Sequence, residues 1–421
     1  MDIQTVKRMR LGIVIDGIGG GGYRMNNNKF LGLAARGHSL DVLPLSVPGT
    51  HLLEAFPGSA RVFTLTTKIW RRRQLRNLRR LPDSVCVSHL GPRWTDGRIV
   101  RFRVAAALKR LRKDFSPLKS KNVARAALSV AQYIRRENPE VILASHPPSV
   151  ISALLAKRLV GKEALPVICV LHSMGDINSH ELTLLLPEAT HIVTVSHAMA
   201  DMVTSQMSIP RQRITPIYNP VFTPELESLA SATPAHPWLR KKGLSVILAA
   251  GQLHKVKDHS TLLRAFARLA GRPGMRLVIL GEGPERASLE ALVRELGLEG
   301  KVDMPGWEPN PFAFMSRARL FVLSSRSEGL SGVLIQALAC GCPVASTDCP
   351  TGSREILEDG RWGALAPVGD DAALAKAMEE ALEARPDRDA LRRRASFFSV
   401  ERAAEQYEKV LLKGLSLAPG P

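Results

Sequence analysis

The sequence predicts an α/β protein of two domains, each built on a parallel β-sheet with helices packed against it. Short apolar runs alternate with longer amphipathic segments along most of the chain, which is the pattern of β-α-β units. A length of 421 residues with 45% apolar content is sufficient for two substantial cores. Between residues 223 and 243 the regular pattern stops in a proline-containing stretch, which indicates a linker.

The first half opens with a β-α-β unit. A strand over residues 10–16 is followed by a glycine-rich turn that includes Gly20, Gly21 and Gly22, then by a helix over 28–35 and a strand from Ser39. Glycine in the first turn lets the backbone approach a phosphate or a sugar closely. The spacing is not GxGxxG and no acid follows the second strand, so a plain tight turn is the alternative.

Nine further strands follow along the chain. They are predicted at residues 141–145, 166–171, 191–195 and 214–217, and after the linker at 244–250, 275–280, 301–307, 320–323 and 344–346. Two of them end at His146 and His172. Carboxyl ends of parallel strands share one edge of the sheet, so we expect both histidines at the ligand-binding edge. A core or surface histidine without a ligand is the alternative.

The most informative stretch covers residues 324 to 355. A strand is followed by a polar loop with Glu328 and then by an apolar helix over 333–340, which ends at Gly341. A helix N-terminus at the end of a strand offers free N–H groups to an anionic ligand such as a diphosphate. Lys257 follows another strand at the same edge. A surface charge for Lys257 and a loop-capping carboxylate for Glu328 are the alternatives.

Gln336 lies near the start of that apolar helix. A buried amide needs hydrogen-bond partners, which backbone groups or ribose hydroxyls could supply. The sequence has no HExxH and no His/Cys cluster, so no catalytic metal is expected. A Ser-His-Asp arrangement or nucleophile elbow is also absent from the sequence.

The net charge of +19 is concentrated in one segment. Between Arg61 and Arg125 only three residues are acidic, and two stretches place Leu or Trp at helical spacing among basic residues. In the first of these stretches the basic residues are Arg71, Arg72, Arg73, Arg76, Arg79 and Arg80. This pattern predicts contact with an anionic membrane surface, with a solvated arginine-rich helix face as the alternative. Because no nucleic-acid-binding module accompanies the charge, no nucleic-acid partner is expected.

Cysteine usage and the chain's first residues bear on the compartment. The five cysteines form neither a CxxC pair nor an evenly spaced framework, which favours a reducing compartment. Residues 1–17 are too polar for a signal peptide, and no apolar run approaches the roughly 20 residues that span a bilayer. We therefore expect a cytoplasmic protein, at most peripheral on the inner face of the plasma membrane.

The stretch SEGLSGVLIQALACGCPVASTDCPTGSREIL resembles the donor-site signature of the retaining glycosyltransferases of family 4. The segments GQLHKVKDHSTLLRAFARL, GEGPER, TVSHAMAD and IYNPV resemble other family segments in the same order. This resemblance implies the GT-B fold, in which two Rossmann-like domains face each other across a cleft and the last helix crosses back to the first. The acceptor-binding domain would comprise residues 1–222 and 398–421. The linker would be 223–243, and the nucleotide-sugar-binding domain 244–397.

The resemblance also implies roles for individual residues. Glu328 would bind hydroxyls of the donor sugar, and Lys257 would hold the diphosphate and stabilise its leaving charge without a metal or other cofactor. His172 would face the donor sugar and the acceptor, which makes Glu328, His172 and Lys257 the expected catalytic residues. The expected donor-binding residues are Gly20, Gly21, Gly22, Gln252, Lys257, Trp307, Glu328, Gly329, Leu330, Ser331 and Gln336.

The implied reaction moves a sugar from a nucleotide sugar, expected to be a UDP-sugar, to a glycan or lipid-linked acceptor in envelope polysaccharide or glycoconjugate biosynthesis. Two positions depart from the family pattern. Gln336 stands where the family has its second Glu, and Gln252 stands where it has a phosphate-binding Arg. Both keep hydrogen bonding but lose a charge. A nucleotide-sugar epimerase of the same fold and a non-catalytic sugar-nucleotide binding protein are the alternatives.

Overall fold

The computed structural model describes residues 7–15, 21–45, 60–65, 86–90, 117–384 and 386–417. The chain divides into two compact units. The first comprises Met1–Val195, Ala200–Ile217 and Ala403–Pro421, and the second comprises Ser196–Met199 and Tyr218–Arg402. The boundary therefore crosses two helices, one near residue 200 and the last one near residue 403.

The first unit contains a parallel sheet of eight strands in the order β4-β3-β2-β1-β5-β6-β7-β8. Its strands are β1 (Arg10–Ile15), β2 (Ser39–Pro44), β3 (Arg61–Leu65), β4 (Cys86–Leu90), β5 (Val141–Ser145), β6 (Val167–Leu171), β7 (His191–Thr194) and β8 (Ile214–Pro216). The strand order reverses between β1 and β5, and ligands of open parallel sheets bind beyond the carboxyl ends at such a point.

Helices of the first unit cover a sheet whose strands are apolar on both faces, as parallel strands are. They are α1 (Gly21–Ala35), α2 (Pro117–Glu137), α3 (Pro147–Val160), α4 (Met174–Ile177), α5 (His180–Leu185) and most of α6 (His197–Met207). One continuous core joins Leu11, Ile13, Phe30 and Val170 from these elements.

The last helix, which we label α15 (Val400–Leu417), completes that core with Ala403, Tyr407, Val410 and Leu411. Its buried Glu408 accepts hydrogen bonds from Arg36 and from His38 Nε2, the latter at 3.1 Å. The His38 Nδ1 atom accepts from the Met9 N–H at 3.3 Å, which places the ring proton on Nε2. Burial lowers the pKa of His38, and the neutral ring donates to Glu408.

The second unit contains a parallel sheet of six strands in the order β11-β10-β9-β12-β13-β14. The strands are β9 (Ser245–Ala250), β10 (Met275–Leu280), β11 (Val302–Gly306), β12 (Leu320–Leu323), β13 (Val344–Thr347) and β14 (Ala364–Ala366). The helices are α7 (Glu225–Ser231), α8 (His259–Leu269), α9 (Arg286–Glu295), α10 (Pro311–Arg317), α11 (Gly332–Ala339), α12 (Ser353–Leu357), α13 (Asp371–Ala384) and α14 (Arg388–Ser396). Its main core packs α8, α9 and α13 against one face of the sheet.

The α/β fold with parallel sheets is confirmed, and the predicted strands lie within two residues of the observed ones. Three strands, β3, β4 and β14, were not predicted, and neither were the short helices α4, α5, α7, α12 and α14. The expected linker contains α7, which is fixed to the second unit because Ser316 and Asn310 donate to its carbonyls at 2.7 and 2.9 Å.

The glycine-rich turn differs from its prediction. Gly21 and Gly22 form the start of α1 rather than a loop, and Gly20 lies outside the described residues. The six arginines from Arg71 to Arg80 also lie outside them. Within the part of the chain that the structure describes, no helix combines the length and the apolar character needed to cross a membrane.

Candidate functional site

The candidate site of the second unit lies where the strand order reverses, between β9 and β12. Loops from neighbouring strands diverge at this point and leave room for a ligand beyond the carboxyl ends. The loop after β9 carries Gln252 and Lys257, and the loop after β12 carries Glu328. The sequence therefore predicted Lys257 and Glu328, whose loops follow adjacent strands of the sheet.

Lys257 and Glu328 form an ion pair, with Nζ and Oε1 2.6 Å apart. Their side chains are 25% and 12% exposed, so the pair is partly shielded but reachable from solvent. The Ser325 hydroxyl donates to the same Oε1 at 2.7 Å. The Oε2 atom of Glu328 makes no hydrogen bond to a described residue, so this carboxylate can accept one from a ligand hydroxyl.

The Lys257 loop is held in place by its neighbours. The Ser324 hydroxyl donates to the Lys257 carbonyl at 2.9 Å, and the Arg326 N–H donates to the Val256 carbonyl at 2.8 Å. Asp258 takes a left-handed conformation with φ 46° and caps α8. Its carboxylate accepts hydrogen bonds from the backbone N–H and from the hydroxyl of Thr261. Asp258 also pairs with Arg326 at 2.9 Å, so it serves the loop rather than a ligand.

The Glu328 loop is fixed by the turn after β13. The Thr351 hydroxyl donates to the Glu328 carbonyl, and Gly352 has φ 84°. A Cβ at residue 352 would lie 2.8 Å from the Gly329 carbonyl oxygen. Only glycine therefore allows the two loops to approach this closely.

Helix α11 begins beside Glu328. Its N-cap, Ser331, is buried, and the Ser331 Oγ atom makes no hydrogen bond among the described residues. The first N–H groups of any helix have no partner inside the helix, and its dipole favours a negative charge there. Gly329 and Leu330 are also buried. The N–H groups of this turn and a free hydroxyl are thus available to an anionic ligand.

The other expected donor-site residues are less enclosed. Trp307 follows β11 and is 72% exposed, and Gln252 is exposed after β9. Gln336 is half-buried in the second turn of α11, and its amide makes no hydrogen bond to a residue that the structure describes. The structure places all three at the carboxyl side of the same sheet but does not bring their side chains into contact with the Lys257–Glu328 pair.

His172, the remaining expected catalytic residue, belongs to the first unit. It follows β6, and its ring stacks on His146 with centroids 4.6 Å apart. Burial lowers the pKa of His172 well below its ordinary value, and the positive charges of His146 and Lys29 oppose its protonation further. Lys29 is itself buried, which lowers its pKa to about 7, and it donates to the Ser145 hydroxyl at 3.1 Å.

Sequence reasoning missed three residues that support the site. Ser325 and Thr351 hydrogen-bond to Glu328, and small polar residues in the loops after apolar strands were the available signal. Glu355 accepts from the N–H groups of His197 and Ala198 at 2.9 and 2.8 Å and from the Tyr218 hydroxyl at 2.9 Å. Glu355 thus caps α6 from a position about 157 residues away in sequence.

Two family models match the chain. The model described as "Glycosyl transferases group 1" matches residues 235–396, and "Glycosyltransferase Family 4" matches residues 76–223. Together they cover most of the sequence, including the Lys257–Glu328 site. The chain belongs to glycosyltransferase family 4. The resemblance in the loop after β12 is therefore confirmed.

Curated relatives are similar to parts of this family 4 chain. One is N-acetylgalactosamine-N,N'-diacetylbacillosaminyl-diphospho-undecaprenol 4-alpha-N-acetylgalactosaminyltransferase of Campylobacter jejuni, which is 35% identical over 49% of the chain. The match spans 54%, about half, of that relative's own length. N-acetyl-alpha-D-glucosaminyl L-malate synthase of Bacillus anthracis is 26% identical over 68% of the chain and 77% of its own length.

Solved structures share the fold at low sequence identity. A glycosyltransferase from Rickettsia africae ESF-5 has a TM-score of 0.69 at 13% identity and covers 97% of this chain and 99% of its own. Anabaena HepE, solved in complex with UDP and glucose, has a TM-score of 0.66 at 16% identity. The match covers 96% of this chain and 100% of the HepE chain. These neighbours have the GT-B fold, which is therefore confirmed for this family member.

Proposed function

We propose that the chain transfers a sugar from a nucleotide sugar to a glycan or lipid-linked acceptor, with retention at the anomeric carbon and without a metal. The observation that carries this proposal is the Lys257–Glu328 pair beside the start of α11 at the reversal point of the second sheet. Lys257 can move from Glu328 to a diphosphate, whose negative charge grows as the sugar leaves. Glu328 can then bind sugar hydroxyls.

The donor nucleotide we propose is UDP, because UDP is bound in the structural neighbour from Anabaena. Gln252 would donate one hydrogen bond where other members of the family have an arginine, so Lys257 and the α11 N–H groups would carry more of the phosphate binding. Gln336 would bind the ribose through its amide, and Trp307 would contact the base. An acceptor linked to a lipid diphosphate is suggested by the Campylobacter relative.

The test is transfer from a panel of UDP-sugars, together with UDP affinity measured by calorimetry. We expect Glu328→Gln to bind UDP within about threefold of wild type but to lose transfer by about 100-fold or more, because its role is toward the sugar. Lys257→Met should weaken UDP binding by about 10- to 100-fold, which corresponds to one charge-assisted contact. Lys242→Met, an exposed lysine before β9, is the matched control.

Four results would contradict the proposal. Conversion of the donor without an acceptor would indicate an epimerase, and UDP-sugar binding without turnover would indicate a binding protein. Full activity of Glu328→Gln would remove the assigned site. Activity that disappears on chelation and returns with a divalent ion would contradict the metal-independent mechanism.

We further propose that the arginine-rich segment attaches the enzyme to the inner face of a membrane. The support is the sequence, in which Arg71, Arg72, Arg73, Arg76, Arg79 and Arg80 accompany apolar residues at helical spacing. Each cation near an anionic surface contributes about 1 kcal/mol, so replacing all six by glutamine should abolish binding to phosphatidylserine vesicles in co-sedimentation. Glutamine at Arg264, Arg272, Arg317, Arg354, Arg361 and Arg392 is the control of equal charge change. Unchanged vesicle binding of the first variant would contradict the attachment.

A further inference from the structure

The backbone of His146 is unusual for a residue that is not glycine. It has φ 70° and ψ 151°, a region that glycine alone adopts readily and that is strained for other residues. Five other described non-glycine residues have positive φ, and theirs lies between 46° and 56°, in the left-handed helical range. His146 therefore carries a conformational cost of a different kind from these five.

Hydrogen bonds of the backbone explain the conformation but not the choice of histidine. The His146 N–H donates to the Val170 carbonyl at 3.3 Å, and its carbonyl accepts from the Val150 N–H at 3.0 Å as α3 begins. Pro147 restricts the ψ of the preceding residue to extended values. A glycine would keep these contacts at lower cost, so the side chain must account for the histidine.

The imidazole of His146 lies against that of His172, with ring centroids 4.6 Å apart and planes inclined by 26°. The backbone N–H of His172 donates to Asp176 Oδ2 at 2.6 Å, which fixes its main chain. The Nε2 atom of the His172 ring is buried and has no hydrogen-bond partner among the described residues. A buried polar atom without a partner in the protein is available to a ligand.

We infer that His146 is a positioning residue, whose ring fixes the plane of the His172 imidazole and aims its Nε2 atom at a hydroxyl of the donor sugar or acceptor. The inference rests on the proposed function, together with the expectation that His172 faces the donor sugar and the acceptor. The strained backbone of His146 is what brings its ring over His172, because a change of φ to negative values would turn the Cβ away.

Electrostatics of the pair agree with this role. Among the described residues, the titratable groups next to His172 are His146 from the turn after β5, Lys29 from α1 and Asp176 from α4. Burial and the first two keep its ring neutral, so one ring nitrogen donates and the other accepts. Such a ring can bind a hydroxyl without competing for its proton. Loss of His146 would let water reach the ring and remove one opposing charge, so the pKa of His172 should rise.

His146→Gly tests the inference, because it relieves the strain and removes the ring together. We expect kcat for sugar transfer to fall by about 10- to 100-fold, the usual effect of a misplaced catalytic group, with KM for the donor little changed. The thermal midpoint should not fall, since the backbone strain is gone. The His172 pKa, followed by NMR of labelled histidine and assigned with His172→Gln, should rise, and the acid limb of the pH–rate profile should move with it.

Ser208→Gly is the matched control. Ser208 is exposed in the first unit and has φ 51°, so this change also relieves a positive φ but should leave kcat and the His172 pKa unchanged. His146→Phe keeps a ring against His172 and should recover most of the lost kcat.

Unchanged kcat and unchanged His172 pKa in His146→Gly would overturn the inference. Failure of His146→Gly to fold would also overturn it, since the ring would then act in stability. If the wild type transferred no sugar at all, the proposed function would fail. The NMR titration would still decide the positioning role, because an unchanged His172 signal in His146→Gly would exclude it.

Discussion

At the residue scale, burial decides which side chains of this chain can carry charge. His191 is fully buried in β7, and its Nε2 atom lies 2.8 Å from the Thr215 hydroxyl. Burial lowers the pKa of His191 to about 4. His259 in the second unit is similar, with a pKa lowered to about 4 by burial. Both rings are therefore neutral near pH 7, and both lower the free energy of unfolding in acid.

The sign of the resulting pH dependence follows from proton binding. A histidine that titrates near 6.5 when unfolded and near 4 when folded binds protons preferentially in the unfolded state between these values. The free energy of unfolding should therefore fall as the pH drops below about 6.5. At pH 5 one such residue costs about 2 kcal/mol, from about 1.4 kcal/mol per pH unit.

His191→Gln tests this, because glutamine can still reach Thr215 but cannot be protonated. The loss of unfolding free energy between pH 7 and pH 5, measured with urea, should shrink by about 2 kcal/mol in the variant. His180→Gln, at an exposed histidine of the same unit, should leave that loss as it is in wild type. An equal loss in His191→Gln and wild type would show that His191 does not contribute.

Some residues of the site could be predicted from the sequence and others could not. Lys257 and Glu328 could be predicted because each lies in the loop that follows a strand, and position in a β-α-β unit fixes the edge of the sheet. The positive φ of His146 could not be predicted, because nothing in the residues around a histidine indicates a positive φ. The hydrogen-bond partners of Glu355 could not be predicted either, since they depend on tertiary contacts rather than on local pattern.

At the scale of elements, strand length sets what can be predicted. Strands β5, β10 and β12 have four to six residues, at least four of them apolar, and were predicted at their observed bounds. Strand β14 has three residues, too few to show a period, and β3 begins with an arginine paired to Asp41. The short helix α12 lacks the length at which a helical repeat is visible.

The last helix offers a test at this scale. Glu408→Ala would leave the Nε2–H group of His38 buried without an acceptor, and such a loss costs about 1–3 kcal/mol or more when a charge is involved. We expect the first unit to lose about 3 kcal/mol in urea unfolding. Lys409→Ala, at an exposed neighbour on α15, should change it by less than about 0.5 kcal/mol. Equal effects of the two substitutions would mean that the buried contact does not hold the helix.

At the scale of the whole molecule, ligand effects should differ between the two units. The proposed UDP contacts, Gln252, Lys257 and the start of α11, all belong to the second unit. Hydrogen exchange in the presence of UDP should therefore slow in peptides covering residues 251–258 and 324–340 and remain unchanged in residues 141–160. At 100 times Kd the binding contributes about 2.7 kcal/mol of protection. Equal protection of both regions, or of neither, would contradict the assignment.

The domain arrangement was only partly accessible from the sequence. A break in the β/α pattern near residue 223 was visible, and the structure assigns residues to the second unit from Tyr218. The α7 helix inside the expected linker was not predicted, because its seven residues gain their stability from contacts with α10.

The return of α15 to the first unit has a consequence for synthesis. Strand β1 ends at Ile15, but the core that surrounds it also needs Tyr407 and Leu411, which leave the ribosome nearly 400 residues later. At about 5–20 residues per second, the first unit must wait tens of seconds with an open apolar face while the second unit is made. The second unit, contiguous apart from four residues, can finish folding first. Chaperones that bind exposed apolar segments should therefore favour nascent chains stalled before residue 403 over those released at full length.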